Sequence, residues 1–410
     1  MSRPVSLPAP TDDIRPSTEN AGPLRAVLLM AGSCLPVLGA VLLAPVLPKM
    51  QDHFASVPGA KSLVPVVLTI PALALALLAP FAGVIVDRLG RVRLLVVATA
   101  LYALLGTAPL WLDSLGAILV SRALVGITEA AIMICCTTLI GDYYTGRVRD
   151  RYLALQTMCA SVSATAFFVI GGAVGSAGWR APFWIYAVGL LLAPFMAITL
   201  SKPRPAGAAV PDRPGGEKKP FPVRRLAGIC TLTVFGAMVF YTVPVEMSYL
   251  LDDLGVTSTG IIGPATAIAS AATVVGSIIF TKLAGNPAGR LPLIFALCAA
   301  GLLVIGLASS PVVVIAGAVL NCLGTGMLLP SLLTIAMARL DYADRGRGTG
   351  LWTAAFFAGE FVCPLVTIAL ESATGSMAKA VGLLGLASAL TAGGLLLGRR
   401  QPETQLGEGV

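Results

Sequence analysis

Twelve runs of apolar residues divide this chain, each close to the roughly 20 residues a helix needs to cross the hydrocarbon core of a bilayer. They are expected at 25–48, 61–86, 93–112, 117–141, 152–175, 181–200, 225–248, 259–283, 291–308, 311–338, 347–371 and 377–398. A backbone inside lipid must satisfy its own polar groups, so spans of this length read as helices packed into a bundle. Composition agrees. Charged residues make up 12% of the chain, about half the share usual in soluble domains, which excludes a string of soluble domains. The expectation is an all-α membrane protein of twelve transmembrane helices.

The net charge of +8 does not read as a nucleic-acid footprint, because the basic residues sit in short turns rather than along one face. Their distribution sets the topology instead. With the N-terminus inside, 23 of the 28 basic residues fall in cytoplasmic segments, and only Lys49, Lys61, Arg180 and Lys379 fall outside. Arg122 lies within a span. Both termini are therefore expected in the cytoplasm, in a multi-pass protein of the cell membrane.

Residues 201–224, rich in proline, glycine and lysine, are the one long polar interior segment and read as a flexible linker. The expected organisation is a tail (1–24), a six-helix bundle (25–200), the linker, a second six-helix bundle (225–398) and a short tail (399–410). The halves echo each other: Gly141-Asp142 through Arg151 before the fifth span recurs loosely as Leu340-Asp341 through Arg347 before the eleventh.

The turn between the second and third spans reads Gly83-Val-Ile-Val-Asp87-Arg88-Leu-Gly90-Arg91-Val-Arg93. A tight reversal needs glycine, and a turn facing the anionic leaflet favours arginine. The order of residues resembles the G-x-x-x-D-R-x-G-R-x-R signature of major facilitator superfamily transporters. Arg122-Ala-Leu-Val-Gly126 resembles the superfamily's fourth-span R-x-x-x-G motif, Leu43-Ala-Pro45-Val-Leu-Pro48 resembles the first-span end of many bacterial efflux members, and Gly171-Gly172 followed by Gly178-Trp179-Arg180 is similar to the fifth-span end of drug/proton antiporters. Where that fifth-span pattern carries glycine and proline, this chain has Phe167-Phe168. The resemblance implies two pseudo-symmetric six-helix bundles, rocking about a midplane site, that carry a small molecule by alternating access. It also implies a cytoplasmic gate formed by Gly83, Asp87, Arg88, Gly90, Arg91 and Asp142. There Asp87 would face the N-terminal dipole of span eleven, and Arg91 would pair with Asp142.

Charges inside spans are costly and usually face a cavity or a partner. Arg122 and Glu129 are seven residues apart in span four and project from one helical face. Glu129 fits a proton-carrying group or a counter-ion for a cationic substrate; a fixed ion pair with Arg122 is the structural alternative. Glu360, mid-span in the eleventh helix, fits a proton or substrate role or an interhelical hydrogen bond. Asn321 and Tyr241 are candidate polar groups of the cavity, or satisfied packing residues. Glu246, Asp252, Asp253 and Glu371 are expected near the outer surface, in water.

The eight cysteines all fall in apolar spans and read as small hydrophobes. The one histidine, His53, sits in an outer loop. No phosphate-binding loop and no nucleophile–base constellation appears, so no enzyme activity, cofactor or metal is expected. The function expected is proton-coupled efflux of a small amphipathic molecule by a monomer. Its partners would be the substrate, protons and the lipid bilayer. A proton-coupled importer or facilitator is the alternative within transport, and a membrane sensor or scaffold the alternative outside it.

Overall fold

The computed structural model describes residues 22–81, 89–200, 223–283, 285–341 and 344–397. Among these residues the chain forms twelve helical spans: α1 (Pro23–His53), α2 (Ala60–Phe81), α3 (Arg91–Leu110), α4 (Leu115–Tyr143), α5 (Gly146–Gly175), α6 (Ala181–Thr199), α7 (Val223–Asp253), α8 (Thr259–Lys282), α9 (Leu291–Gly306), α10 (Pro311–Ala338), α11 (Arg345–Thr374) and α12 (Met377–Leu397). Eleven are long and apolar enough to cross a membrane, and α9 is a shorter apolar helix of 16 residues. The N-terminal tail, the linker and the C-terminal tail lie almost wholly outside the described residues.

Span ends move from their expected places for local reasons. The first span runs to His53 rather than stopping at 48, but it is broken by a 3-10 turn at Ala44–Val46. Pro45 and Pro48 each occupy the opening of a new helical turn, where a missing N–H costs nothing, so the helix restarts instead of ending. The fifth begins at Gly146 rather than 152. Gly146 has φ +54, which side chains disfavour, and from there Arg147, Arg149 and Arg151 ride on the first turns of the helix.

Within the first half, α4 packs against α1, α2 and α3. Within the second, α10 packs against α7, α8 and α9. The halves meet chiefly through α2 against α11 and α5 against α8. Since α8 is the counterpart of α2 and α11 of α5, these are one contact repeated under exchange of the halves. At the α5–α8 crossing Gly172 and Gly263 lie backbone to backbone, and a Cβ on Gly263 would stand 2.8 Å from the Cα of Gly172. Small residues are what let membrane helices approach this closely. One end of the bundle carries Arg91 and Asp142; at the other, Lys61 Nζ of α2 donates to Glu371 Oε1 of α11 at 2.8 Å, joining the halves.

Candidate functional site

The break in α1 organises the middle of the molecule. A helix leaves its last carbonyls without backbone partners, and α1 loses its regular turn after Val41. Two of the freed carbonyls have side-chain donors. Gly39 O accepts from Arg122 Nη2 at 2.9 Å, and Ala40 O accepts from the hydroxyl of Tyr241 at 2.5 Å.

Arg122 is fully buried. Besides Gly39 O, its Nε donates to Val67 O of α2 at 3.2 Å and its Nη1 to the Tyr186 hydroxyl of α6 at 2.8 Å. Val67 O is available because the residue four further on is Pro71, which has no N–H to return. Tyr186 is held by Tyr102 of α3, with ring centroids 5.2 Å apart, and the Tyr102 hydroxyl donates to Leu35 O of α1 at 2.8 Å. Arg122 therefore ties α1, α2, α4 and α6 together through neutral acceptors. The fixed Arg122–Glu129 ion pair is not formed.

Two turns along α4, Glu129 is 2% exposed and lies against Gly39, at the place where a Cβ on that glycine would collide with Oε1. That oxygen has no hydrogen-bond partner. Glu360 of α11 is 5% exposed, and Gly359 before it packs against Val234 and Ala237 of α7, one turn from the Tyr241 that bonds Ala40 O. The structure thus brings together Arg122, Glu129, Tyr241 and Glu360, drawn from both halves. It does not bring Asn321 with them. Asn321 Nδ2 donates to Val239 O at 3.2 Å, and its backbone packs against Gly301, so it braces α10 against α7 and α9.

At the Arg91 end, Gly83, Asp87 and Arg88 lie outside the described residues. Gly90 turns the chain with φ +81, and Arg91 Nη1 donates to Asp142 Oδ1 at the end of α4. At the opposite end one expectation needs correcting. Glu246 is not near water but fully buried, because α7 continues to Asp253 and places it two turns inside the helix, against α11. Glu371, Asp252 and Asp253 remain at that end, with side chains partly or fully exposed.

Some residues of the region carry no charge and were not singled out from sequence. Trp352, Phe356 and Glu360 follow at intervals of four on α11 and so share a face. The Trp352 and Phe356 rings stack at 5.8 Å, and Phe240 of α7 adds a third ring 6.0 Å from Phe356. In the first half, Gln156 Nε2 of α5 donates to Ser33 Oγ at 2.7 Å and Thr137 Oγ1 at 3.1 Å, making a polar contact with α1 and α4. The aromatic spacing was the available signal for the first group; Gln156 had none beyond being polar inside a span. Among the described residues no group of three His, Cys, Asp or Glu side chains could hold a metal.

Two helical bundles that meet over buried carboxyls, with a broken helix between them, have the architecture of an alternating-access transporter. The chain belongs to the Major Facilitator Superfamily, whose family model matches residues 29–364; its members are secondary transporters, not enzymes. Among curated proteins it is similar to the class C tetracycline resistance protein of Escherichia coli, 31% identical over 210 residues. That match covers 49% of this chain and 48% of the relative, so the chain spans about half the length of the relative it matches. Among solved structures it resembles a bacterial homologue of the human lysosomal transporter Spinster in two inward-facing forms. The unoccupied form gives a TM-score of 0.67 and the occupied form 0.68, each at 18% identity and covering 92% of this chain and 95% of the other. That likeness is one of fold.

Proposed function

We propose that this transporter exports a small amphipathic molecule in exchange for protons, with Glu129 and Glu360 as the carboxyls that substrate and proton share. The observation that carries the reading is a pair of buried acids from opposite halves, with Tyr241 bonded across the halves to Ala40 O, next to the Gly39 that Glu129 packs against, and the nearby arginine bonded elsewhere. An ionised carboxylate in such a place costs several kcal/mol unless water, a cation or a proton reaches it. A site of this kind favours one occupant at a time. The aromatic face of Trp352 and Phe356 next to Glu360 suits a partly apolar, planar cargo. The similarity to a tetracycline resistance protein points the same way on direction.

In this reading the Arg91 end is cytoplasmic, as the arginine-rich turns require, and both termini lie there. The two bundles take residues 25–200 and 225–398, joined by the 201–224 linker, and the protein works as a monomer in the cell membrane. Arg91 and Asp142 latch the cytoplasmic side.

Everted vesicles test the proposal. Glu129→Gln keeps shape and most hydrogen-bonding capacity but cannot carry a proton. Uptake driven by a pH gradient should be lost while downhill exchange of substrate persists. Gradient-driven accumulation equal to that of the parent would show that Glu129 is structural and that the coupling reading fails.

A further inference from the structure

We infer that Glu246 is a second proton-binding carboxyl, which controls closure of the Lys61 end through Thr367 and Glu371 of α11. The inference goes beyond the proposed function and does not depend on which solute moves or on the role of Glu129.

Glu246 is 0% exposed, and its Oε2 has no hydrogen-bond partner. Its Oε1 lies 2.5 Å from Thr367 Oγ1. That hydroxyl also stands 3.2 Å from Cys363 O and 3.1 Å from Pro364 O, the carbonyls one turn back on its own helix. Three acceptors compete for one hydrogen. If Glu246 is ionised, the hydrogen must point to its carboxylate, and the charge stays buried with a single donor. If Glu246 takes a proton from a hydronium ion, an O–H bond of that ion breaks to leave water, and the new carboxyl O–H can donate to Thr367 Oγ1. The threonine hydrogen then turns to a helix carbonyl. The protonated arrangement satisfies the pair without a buried charge, so the packed state seen here suits neutral Glu246, whereas ionised Glu246 needs water.

The gate lies one turn away. Thr367 and Glu371 are four residues apart on α11, and Glu371 Oε1 accepts from Lys61 Nζ across the halves at 2.8 Å. A cavity of about 140 Å³ at this end is lined by Pro48, Asp52, Lys61, Tyr249, Asp253 and Glu371. The titratable groups facing Glu246 are Glu371 and Cys363 on α11 and Tyr249 on its own helix. Lys61 acts on it through Glu371, and Asp52 of α1 and Asp252 act on Tyr249. No basic side chain bonds Glu246 directly, so water is its route to the charged form, and water enters when the Lys61 end separates. Proton binding at Glu246 therefore favours closure of this end, and proton release favours opening.

Spin-label distances in purified full-length protein in lipid nanodiscs test this. Labels go at Ser56→Cys and Ala373→Cys, exposed on opposite halves at this end, with Cys34, Cys159 and Cys230 replaced by alanine. In the parent the distance should lengthen as pH rises. Glu246→Gln should hold the short distance at every pH, and Asp150→Asn, at an exposed acid of α5 outside the proposed sites, should lengthen as the parent does. A Glu246→Gln response matching the parent would overturn the inference. If Glu246→Gln does not fold, Thr367→Val and Thr367→Ser decide. The serine should keep the parent response and the valine should displace it, and a parent-like valine would equally overturn the inference.

Discussion

The Tyr241 hydroxyl of the second half donates to Ala40 O of the first, one residue along from the Gly39 carbonyl that Arg122 holds. Neighbouring carbonyls of one broken helix thus serve the internal bracing of one half and its attachment to the other. If the halves separate around this point during transport, the Tyr241 bond must break while the Arg122 bonds persist. Tyr241→Phe keeps the ring and removes the donor. A neutral hydrogen bond of this kind contributes about 1 kcal/mol, roughly a fivefold change in a two-state equilibrium. Cross-linking between cysteines placed on α1 and α7 should fall by about that factor in Tyr241→Phe, with expression unchanged. Cross-linking equal to the parent would show that the bond does not hold the halves.

Arg122 is expected to matter for stability rather than for transport alone. Lysine carries the charge but cannot reach Val67 O, Gly39 O and the Tyr186 hydroxyl together, since their donors come from three separate nitrogens. Losing even one or two charge-assisted hydrogen bonds costs about 1.5–3 kcal/mol each. Arg122→Lys should therefore unfold in detergent at clearly lower temperature than the parent. Glu129→Gln, whose Oε1 has no partner to lose, should not. Equal melting of Arg122→Lys and the parent would remove the stapling role assigned here.

Gly39 offers a test of the packing between α1 and α4. A methyl group there would overlap Glu129 Oε1, and overpacking in a tight interior costs about 1–3 kcal/mol. Gly39→Ala should lower thermal stability, and Glu129→Asp, which withdraws the carboxyl by one methylene, should restore most of the loss in the double variant. Simple additivity of the two changes would mean that the side chains do not compete for the same space.

The number of spans and the fold were legible because each depends on a local property: apolar runs long enough to cross a bilayer, and arginines concentrated at the span ends. The shared face of Arg122 and Glu129 was legible for the same reason, since seven residues make about two helical turns. Their partners were not, because they come from α1, α2, α6 and α11 and depend on the bundle. One was half visible: Pro71 frees the Val67 carbonyl wherever that helix lies. Glu246 was misplaced because a charge near the expected end of a span reads as solvated, and nothing local shows that α7 runs on to Asp253. The Trp352–Phe356–Glu360 spacing was present, but apolar rings on a membrane helix give no contrast with their lipid-facing neighbours.

That aromatic face carries the remaining prediction. Trp352 and Phe356 stack on α11, Phe240 closes against Phe356 from α7, and Glu360 follows one turn further on. In the export reading an amphipathic cargo lays its apolar plane on these rings and its polar part toward the carboxyls. Phe356→Ala removes the central ring, and an aromatic contact contributes about 0.5–1.5 kcal/mol beyond its buried area. A contact made equally in the bound state and in the rate-limiting step affects KM and leaves kcat alone. Phe356→Ala should therefore raise KM for export by roughly two- to tenfold, more for aromatic substrates than for aliphatic ones of similar size. Trp184→Ala, at an exposed tryptophan of α6 that packs on none of these rings, serves as the control and should leave KM unchanged. A Phe356→Ala variant that loses kcat at constant KM would place the ring in the conformational step. One unchanged in both would take the aromatic face out of the substrate path.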